Sequence, residues 1–550
     1  MAEIWHWLEA FNMKHSLQSN ILDRQACYEA MRGKDPRFDG RFFVGVRTTG
    51  IFCRSVCSAR LPLLENCTFF LSAAAAQAAG YRACLRCRPE LAPSTGTVAP
   101  PLEGSSAAVV ARALRMIERG ALDEGSVREL AERLGVSDRT LRHQFAQHVG
   151  TSPTQVAKTR RLLFAKRLLD ETSLPITEIA ISAGFKSIRS FNSAFLNSYG
   201  RSPSAMRRSS QPAHNASDPI TLKLPFSEPY SWQALMAFWQ PRRISGIEVA
   251  TAEEYCRSIV LDGKPGWATV RPVAGESYLQ VQIGFAQVSQ LGTIMARLRQ
   301  MFDVGVNIAA VEDCLMRSPL LKPLIAHQGL RVPGAWDAFE LAVRAIVGQQ
   351  VSVAAATTMF NRIVETYGEP LKVTGKPNVL TRVFPKASVL AQADLTALGL
   401  IQTRANAISH LAQVLTENPS FFDEMTTLPR AIDALCALPG IGPWTAHYIA
   451  MRALNEPDAM PPGDVALLRA AKSLGTDVNS TQFTQLSENW RPWRAYAAMY
   501  LWQFDAQQQM RHPQKRAAAN ITTEKPITQK VVTNKVNREE VARETVGTQS

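Results

Sequence analysis

The sequence predicts a multidomain fold, mainly α with α+β parts. Three observations predict it. The 550 residues exceed what a single core usually serves. Two polar, Pro/Ser-rich stretches, LAPSTGTVAPPLEGSS at 91–106 and SSQPAHNASDP at 209–219, lack apolar periodicity and read as linkers. The three parts they separate hold, in order, two close cysteine pairs, a helical pattern repeated about 50 residues later, and a glycine hairpin between helical stretches.

Charge comes next. Lys and Arg number 61 against 47 Asp and Glu, a net +14, so a polyanion is the expected partner, with nucleic acid ahead of an anionic membrane. The sequence has no 18-residue apolar run, and its start, MAEIWHWLEAFNMKH, lacks the basic-then-apolar plan of a signal peptide. The expectation is a cytoplasmic protein without a membrane partner. Nine cysteines in a reducing compartment point to a metal or to reactivity rather than to disulfides.

In the first part, TTGIFCRSVCSAR and YRACLRCRPE place Cys53, Cys57, Cys84 and Cys87 as Cys-x3-Cys, a 26-residue spacer and Cys-x2-Cys. Two local pairs of soft ligands suit a tetrahedral Zn²⁺; Cys67 has no close partner and stays outside the shell. Four thiolates around zinc carry a formal −2, and a purely structural site would not need Arg54, Arg60, Arg82, Arg86 and Arg88 beside it. The stretch FDGRFFVGVRTTGIFCRSVCSAR...AAGYRACLRCRPE, across about residues 25 to 92, resembles the zinc domain of the Ada adaptive-response family. That resemblance implies that Cys53 accepts a methyl group from a DNA methylphosphotriester while also ligating zinc with the other three. It also implies that Thr49, Arg60 and Arg82 contact the DNA backbone. Methylation would remove one negative charge beside phosphate and raise DNA affinity, making the site a sensor.

The second part, 106–208, holds 17 Lys/Arg against 9 Asp/Glu, more than half of the net charge in a fifth of the chain. In VRELAERLGVSDRTLRHQF an apolar helix ends at Gly135, Ser137 caps the next helix, and Leu141 and Phe145 form its inner face. ITEIAISAGFKSIRSFNSAF repeats the plan with Gly184, Ser187, Phe191 and Phe195. One such unit is as well explained by an ordinary helical hairpin; two in tandem in a basic segment point to DNA. PTQVAKTRRLLFAKRLLDET between them predicts a helix of about 20 residues, near 30 Å long, enough to place two heads in successive major grooves. The arrangement, ending in YGRSPSAMRR, resembles the AraC-type DNA-binding domain. Arg139, Arg142, His143, Arg189 and Asn192 face away from the apolar stripes and are the candidate base or phosphate contacts.

In the third part ALCALPGIGPWTAHYIAMRAL sets a hairpin from Pro439 to Pro443 whose backbone N–H groups, at Gly440 and Gly442, can hold a DNA phosphate. Asp464 in MPPGDVALLRAAKSL reads, taken alone, as a helix cap. Together with LPFSEPYSWQALMAFWQPRRISGIE, AFELAVRAIVGQQVSVAAA and WRPWRAYAAMYLWQFD, these motifs resemble the helix-hairpin-helix DNA glycosylases, and more closely the 3-methyladenine DNA glycosylase II (AlkA) family, over about residues 220 to 506. The resemblance implies a small amino-terminal α+β domain, Asp464 as the catalytic carboxylate, and Trp444, Tyr448 and Trp502 as an aromatic pocket for a flipped, cationic base. It places Gln350 where some members carry a leucine wedge. Gln503 stands beside Trp502 in place of an expected aromatic. Trp444 occupies the place of the Schiff-base lysine of bifunctional relatives, so strand cleavage is not expected. Cys436 is the last cysteine, which leaves no four-cysteine iron–sulfur cluster, and no cysteine lies in a Pro-Cys-His-Arg alkyltransferase motif.

The expected domains are 1–92, an Ada-type zinc methyl acceptor; 106–208, an AraC-type double helix-turn-helix; 220–330, α+β; 331–508, an all-α glycosylase; and 509–550, a disordered tail without aromatic residues. The expected function is an adaptive response to DNA alkylation: methyl transfer to a zinc-bound cysteine that activates transcription, plus monofunctional excision of 3-methyladenine and 7-methylguanine. Double-stranded DNA and RNA polymerase are the expected partners. The alternative is a transcription regulator whose glycosylase half binds DNA without catalysis.

Overall fold

A computed structural model describes residues 22–92, 106–207, 218–325 and 329–511. Both linkers lie mostly outside these residues, as does the tail beyond Arg511. Among the described residues no helix is long and apolar enough to cross a membrane.

After α1 (Arg24–Arg32), capped by Asp23, the first part forms a four-stranded sheet in the order β3-β1-β2-β4: β1 (Phe43–Val46), β2 (Ile51–Arg54), β3 (Cys67–Phe70) and β4 (Arg82–Ala83). The parallel pairing of Phe52 with Ala83 sets the ends of β2 and β4 side by side, which brings Cys53 next to Cys84. Gly45 is required in β1, because a Cβ there would come 2.8 Å from the rings of Phe70 and Tyr81. Helix α2 (Ala73–Ala78) packs on this sheet and against the second part.

The second part is all α: α3 (Ser106–Glu118), α4 (Val127–Arg133), α5 (Asp138–Val149), α6 (Pro153–Glu171), α7 (Ile176–Ser182), α8 (Ile188–Tyr199) and α9 (Pro203–Met206). Ser137 and Ser187 cap α5 and α8 by accepting from Thr140 N and Ser190 N, each at 3.1 Å. Leu141, Phe145, Phe191 and Phe195 are fully buried. The connecting helix α6 has 19 residues, about 28 Å at 1.5 Å per residue.

The third part opens with an antiparallel sheet, order β5-β9-β8-β7-β6, of β5 (Ile220–Pro225), β6 (Glu248–Ala250), β7 (Tyr255–Leu261), β8 (Lys264–Pro272) and β9 (Tyr278–Gly284), with α10 (Trp232–Trp239), α11 (Leu291–Met301) and α12 (Ile308–Leu315). Its all-α portion comprises α13 (Ala338–Val347), α14 (Val353–Tyr367), α15 (Ala387–Leu390), α16 (Gln402–Glu417), α17 (Leu428–Cys436), α18 (Pro443–Arg452), α19 (Val465–Ser473), α20 (Ser480–Ser487) and α21 (Arg494–Arg511). Helix α21 carries three residues past the expected start of the tail at 509.

The three parts are not separate beads. One apolar core runs from Phe43 and Phe52 through Leu162, Leu168 and Phe191 to Leu222 and Val281. Helix α6 lies within this core and is buried on more than one side, down to Lys166 and Arg167. Lys166 Nζ lies 2.6 Å from Glu90 and 3.2 Å from Asp170, while Arg88 reaches Glu90 at 3.1 Å and Glu171 at 2.8 Å. Buried charges of this kind are tolerated because each is paired. The helices of the third part keep a second core around Ala342, Ile346, Phe360 and Ile408.

Candidate active site and DNA-binding surfaces

The four expected cysteines converge. Their sulfurs all lie within 4.8 Å of one another; tetrahedral zinc with Zn–S bonds near 2.3 Å needs sulfurs about 3.8 Å apart. The donor set therefore fits zinc. Hydrogen bonding among the crowded thiols, led by Cys53, pulls Cys57 down to about 7, whereas bonds to Cys57, Cys84 and Cys87 push Cys53 up. Cys67 stays out of the cluster, its thiol directed to Leu63 O at 3.4 Å. Cys53 is 8% exposed and Cys57 is half-buried.

The arginines around the cluster divide into two kinds. Arg54 is held by Asp39, donates to Cys87 O at 3.3 Å, and its backbone N–H points at Cys87 Sγ at 3.3 Å. Arg88 takes a left-handed φ of 51° and is spent on Glu90 and Glu171. These two support the cluster and its seam with α6, so a structural role accounts for two of the five arginines beside the cysteines. Arg60, Arg82, Arg86 and Thr49 are exposed. The Arg82 guanidinium also lies against Gly200, the C-cap of α8, where a Cβ would be 3.6 Å away.

On the two helix-turn-helix units, Arg139, Arg142 and His143 of α5 and Arg189 and Asn192 of α8 are exposed. Arg142 is drawn back onto Asp138 at 3.0 Å.

In the third part the hairpin joins α17 to α18. Gly440 has φ +82°, and a Cβ there would meet that of Ala407 at 2.7 Å, so glycine is needed twice over. Gly442 is the N-cap of α18 and offers no side chain to its first turn, which leaves first-turn N–H groups for an outside acceptor. Gln349 Nε2 donates to Gly440 O at 2.9 Å and Thr445 Oγ1 at 3.0 Å. That bond ties the hairpin to the α13–α14 turn, where exposed Gln350 adopts φ 52°.

Asp464 does cap α19, with Oδ1 accepting from Leu467 N at 2.9 Å. Capping is only part of its role. Trp502 Nε1 donates to the same oxygen at 3.0 Å, and Trp444 Nε1 donates to Oδ2 at 2.8 Å. Three donors fix the plane of the carboxylate. Trp444 stacks on Tyr448, centroids 5.3 Å apart at 10°, and Tyr448 meets Trp502 at 6.2 Å and 55°. All four residues are half-buried, as groups lining a cleft would be.

Sequence reasoning missed the back of this cleft. Arg452 donates to Tyr448 Oη at 2.7 Å and to Pro333 O at 2.7 Å, and its guanidinium lies over Phe238 at 4.7 Å. Arg242 lies over the same ring at 4.0 Å. Burial alone would raise the Tyr448 phenol, but Arg452 and Arg242 outweigh it and hold the phenol below its ordinary value. Phe238 and Arg242 come from the α+β portion, more than 200 residues before Tyr448, and no local motif announces them.

Four family models match the chain: the metal binding domain of Ada at 26–90, a helix-turn-helix domain at 130–209, the AlkA N-terminal domain at 221–337, and the HhH-GPD superfamily base excision DNA repair protein at 343–494. A relative from Mycobacterium tuberculosis, described as a probable bifunctional transcriptional activator/DNA repair enzyme AlkA, is 36% identical over 87% of this chain and 96% of its own length. DNA-3-methyladenine glycosylase 2 of Escherichia coli is 32% identical over 51% of this chain and 95% of its own. The bifunctional transcriptional activator/DNA repair enzyme Ada of Escherichia coli is 31% identical over 30% of this chain and 43% of its own.

Proposed function

Because the chain belongs to the family of the bifunctional transcriptional activator/DNA repair enzyme AlkA, we propose that it joins a methyl-sensing activator to a monofunctional alkylbase glycosylase. The observation that carries the glycosylase half is the Asp464 carboxylate, held by two indoles and a backbone N–H at an aromatic cleft.

A base alkylated on a ring nitrogen, such as 3-methyladenine or 7-methylguanine, is cationic and a good leaving group. Flipped from the duplex, it stacks among Trp444, Tyr448 and Trp502. As the N-glycosidic bond breaks, its electron pair neutralises the base and positive charge grows on the sugar. Asp464, already oriented, stabilises that charge and orients the water that adds to C1′ and loses a proton. Gly440 and Gly442 hold a backbone phosphate through N–H groups, and Gln350 enters the duplex near the lesion.

At the cluster, Cys53, Cys57, Cys84 and Cys87 hold Zn²⁺, which keeps the sulfurs deprotonated at neutral pH. The Cys53 sulfur forms a bond to the methyl carbon of a methylphosphotriester. The ester C–O bond breaks, its electron pair stays on the phosphate, and the sulfur loses its charge. Thr49, Arg60 and Arg82 hold the backbone for this transfer. With one negative charge fewer, the zinc domain and the two heads, through Arg139, Arg142, His143, Arg189 and Asn192, bind promoter DNA more tightly and present it to RNA polymerase.

The test uses the full chain and methylated duplex DNA. The expected result is release of free 3-methyladenine and 7-methylguanine without strand cleavage, with one methyl per chain mapped to the Cys53 peptide. Methyl found on the more exposed Cys57 would reassign the acceptor, and no free base would remove the glycosylase half.

A further inference from the structure

The two recognition helices share a frame but not a chemistry. From Ser137 to Pro153 and from Ser187 to Pro203 the correspondence is a constant 50 residues: serine caps, buried aromatic or leucine positions, left-handed glycines at 150 and 200, and Ser-Pro starts of the next helix. Equivalent outward positions can therefore be compared one by one. On α5 they are Asp138, Arg139, Arg142, His143 and Ala146; on α8 they are Ile188, Arg189, Asn192, Ser193 and Leu196.

Charge thus gives way to apolar surface at one place, Asp138 to Ile188, and to a neutral amide at another, Arg142 to Asn192, while the small Ala146 is matched by the larger Leu196. Ile188 is 43% exposed and Leu196 is 50% exposed, against a core whose Phe191 and Phe195 are fully buried. Ile188, Asn192 and Leu196 lie four apart, in one row along α8. Exposed Lys186 and Arg201 flank that row in sequence and Arg189 lies within its span, so its charge context suits a polyanion rather than a hydrophobic protein partner. Within a duplex the major groove offers one apolar feature, the C5-methyl of thymine, and Asn pairs bidentately with the adenine opposite it.

We propose that α8 selects an A·T-rich half-site by packing Ile188 and Leu196 on thymine methyl groups, with Asn192 on adenine, while α5 reads its half-site by charge. This rests on the reading that both helices enter major grooves.

The test takes a duplex selected from random sequence by the full chain. The half-site of α8 is the one whose protection is lost in Arg189→Ala. Replacing its thymines by uracil removes only methyl groups and should weaken binding about three- to fivefold for each methyl contacted. The same exchange in the half-site of α5 should do nothing. Ile188→Ala combined with Leu196→Ala should bind more weakly and no longer distinguish thymine from uracil; both side chains are exposed, so folding is spared.

A silent exchange in the wild-type chain, or a double variant that remains equally sensitive to it, overturns the proposal while leaving DNA reading by α8 intact. If Arg189→Ala changes no protection, the reading of α8 as a recognition helix fails as well. A double variant with unchanged DNA binding but lower transcription would assign the face to a protein partner and overturn the proposal.

Discussion

On the proposed reading the cysteine cluster and the Asp464 cleft both hold negative charge for use on DNA, but they are built in opposite ways. The cluster takes its four ligands from 35 consecutive residues, delivered by the ends of two adjacent strands. The cleft assembles Phe238, Arg242, Trp444, Tyr448, Asp464 and Trp502 from elements spread over more than 260 residues. In the cluster, four sulfurs crowd one another and could share a cation. In the cleft, one carboxylate has all its partners as neutral donors and keeps its whole charge for the substrate. The difference would suit the proposed roles, a group consumed once in the first case and a group left unchanged after each turnover in the second.

The largest expected effect separates the two centres by metal. Cys84→Ala should lose the bound zinc and all methyl uptake, since structural zinc sites are worth on the order of 10 kcal/mol to their domains, and base excision should persist. Elemental analysis and the two activity assays check this. Retained zinc would break the four-ligand assignment.

Asp464→Asn should lower excision by about a hundredfold or more, the scale for one preorganised electrostatic group, with methyl uptake unchanged. Asn caps helices as well as Asp does. Its amide can still accept from Leu467 N and Trp502, but its NH₂ would face the Trp444 N–H. A modest stability loss, about 1–2 kcal/mol, is therefore expected beside the rate loss, and thermal unfolding separates the two.

Methylation of Cys53 removes one charge from the cluster and should tighten promoter binding about tenfold at low salt, less at high salt. Equal affinity of methylated and unmethylated chains at every salt concentration would end the sensor account. Trp502→Phe keeps the ring and deletes one donor to Asp464. Excision should fall about tenfold, with KM moved less than kcat.

The smallest effect is one of pH. His447 is half-buried, and its loss of solvation, followed by the nearby charges of Arg494 and Arg491, holds it down to about 4; its Nδ1 accepts from Met460 N at 3.3 Å. A histidine whose folded pKa is depressed contributes stability that is complete above its ordinary value near 6.5 and is lost as pH falls through 4. The segment from Met460 to Asp464 should loosen over that window, and His447→Gln should flatten the acid limb of the excision profile.

Legibility in the sequence follows the same division. The cluster could be read from spacing because its ligands are local. The serine caps, Gly135, Gly184 and the 19-residue α6 could be read because periodicity and capping act within a turn or two. Arg54 looked like the other arginines because its partner Asp39 lies 15 residues away, and Arg88 because only one of its two partners, Glu90, is local while Glu171 lies 83 residues away. The sequence left open whether Asp464 is more than a cap, since a cap and a catalytic group differ only in what else reaches the carboxylate, here two indole N–H groups. The shared core around α6 was hidden by the polar stretch that precedes α3, which marks a change of composition and says nothing about what packs across it.

The central claim is that one chain runs two chemistries at two centres that do not need each other. Its most direct measurement is a single incubation of methylated DNA with the wild-type chain, Asp464→Asn and Cys53→Ser, scoring free bases and protein-bound methyl together. The expected result is crossed: Asp464→Asn takes up methyl at the wild-type level without releasing bases, and Cys53→Ser releases bases without taking up methyl. Loss of both activities in either variant, or of neither, would contradict it.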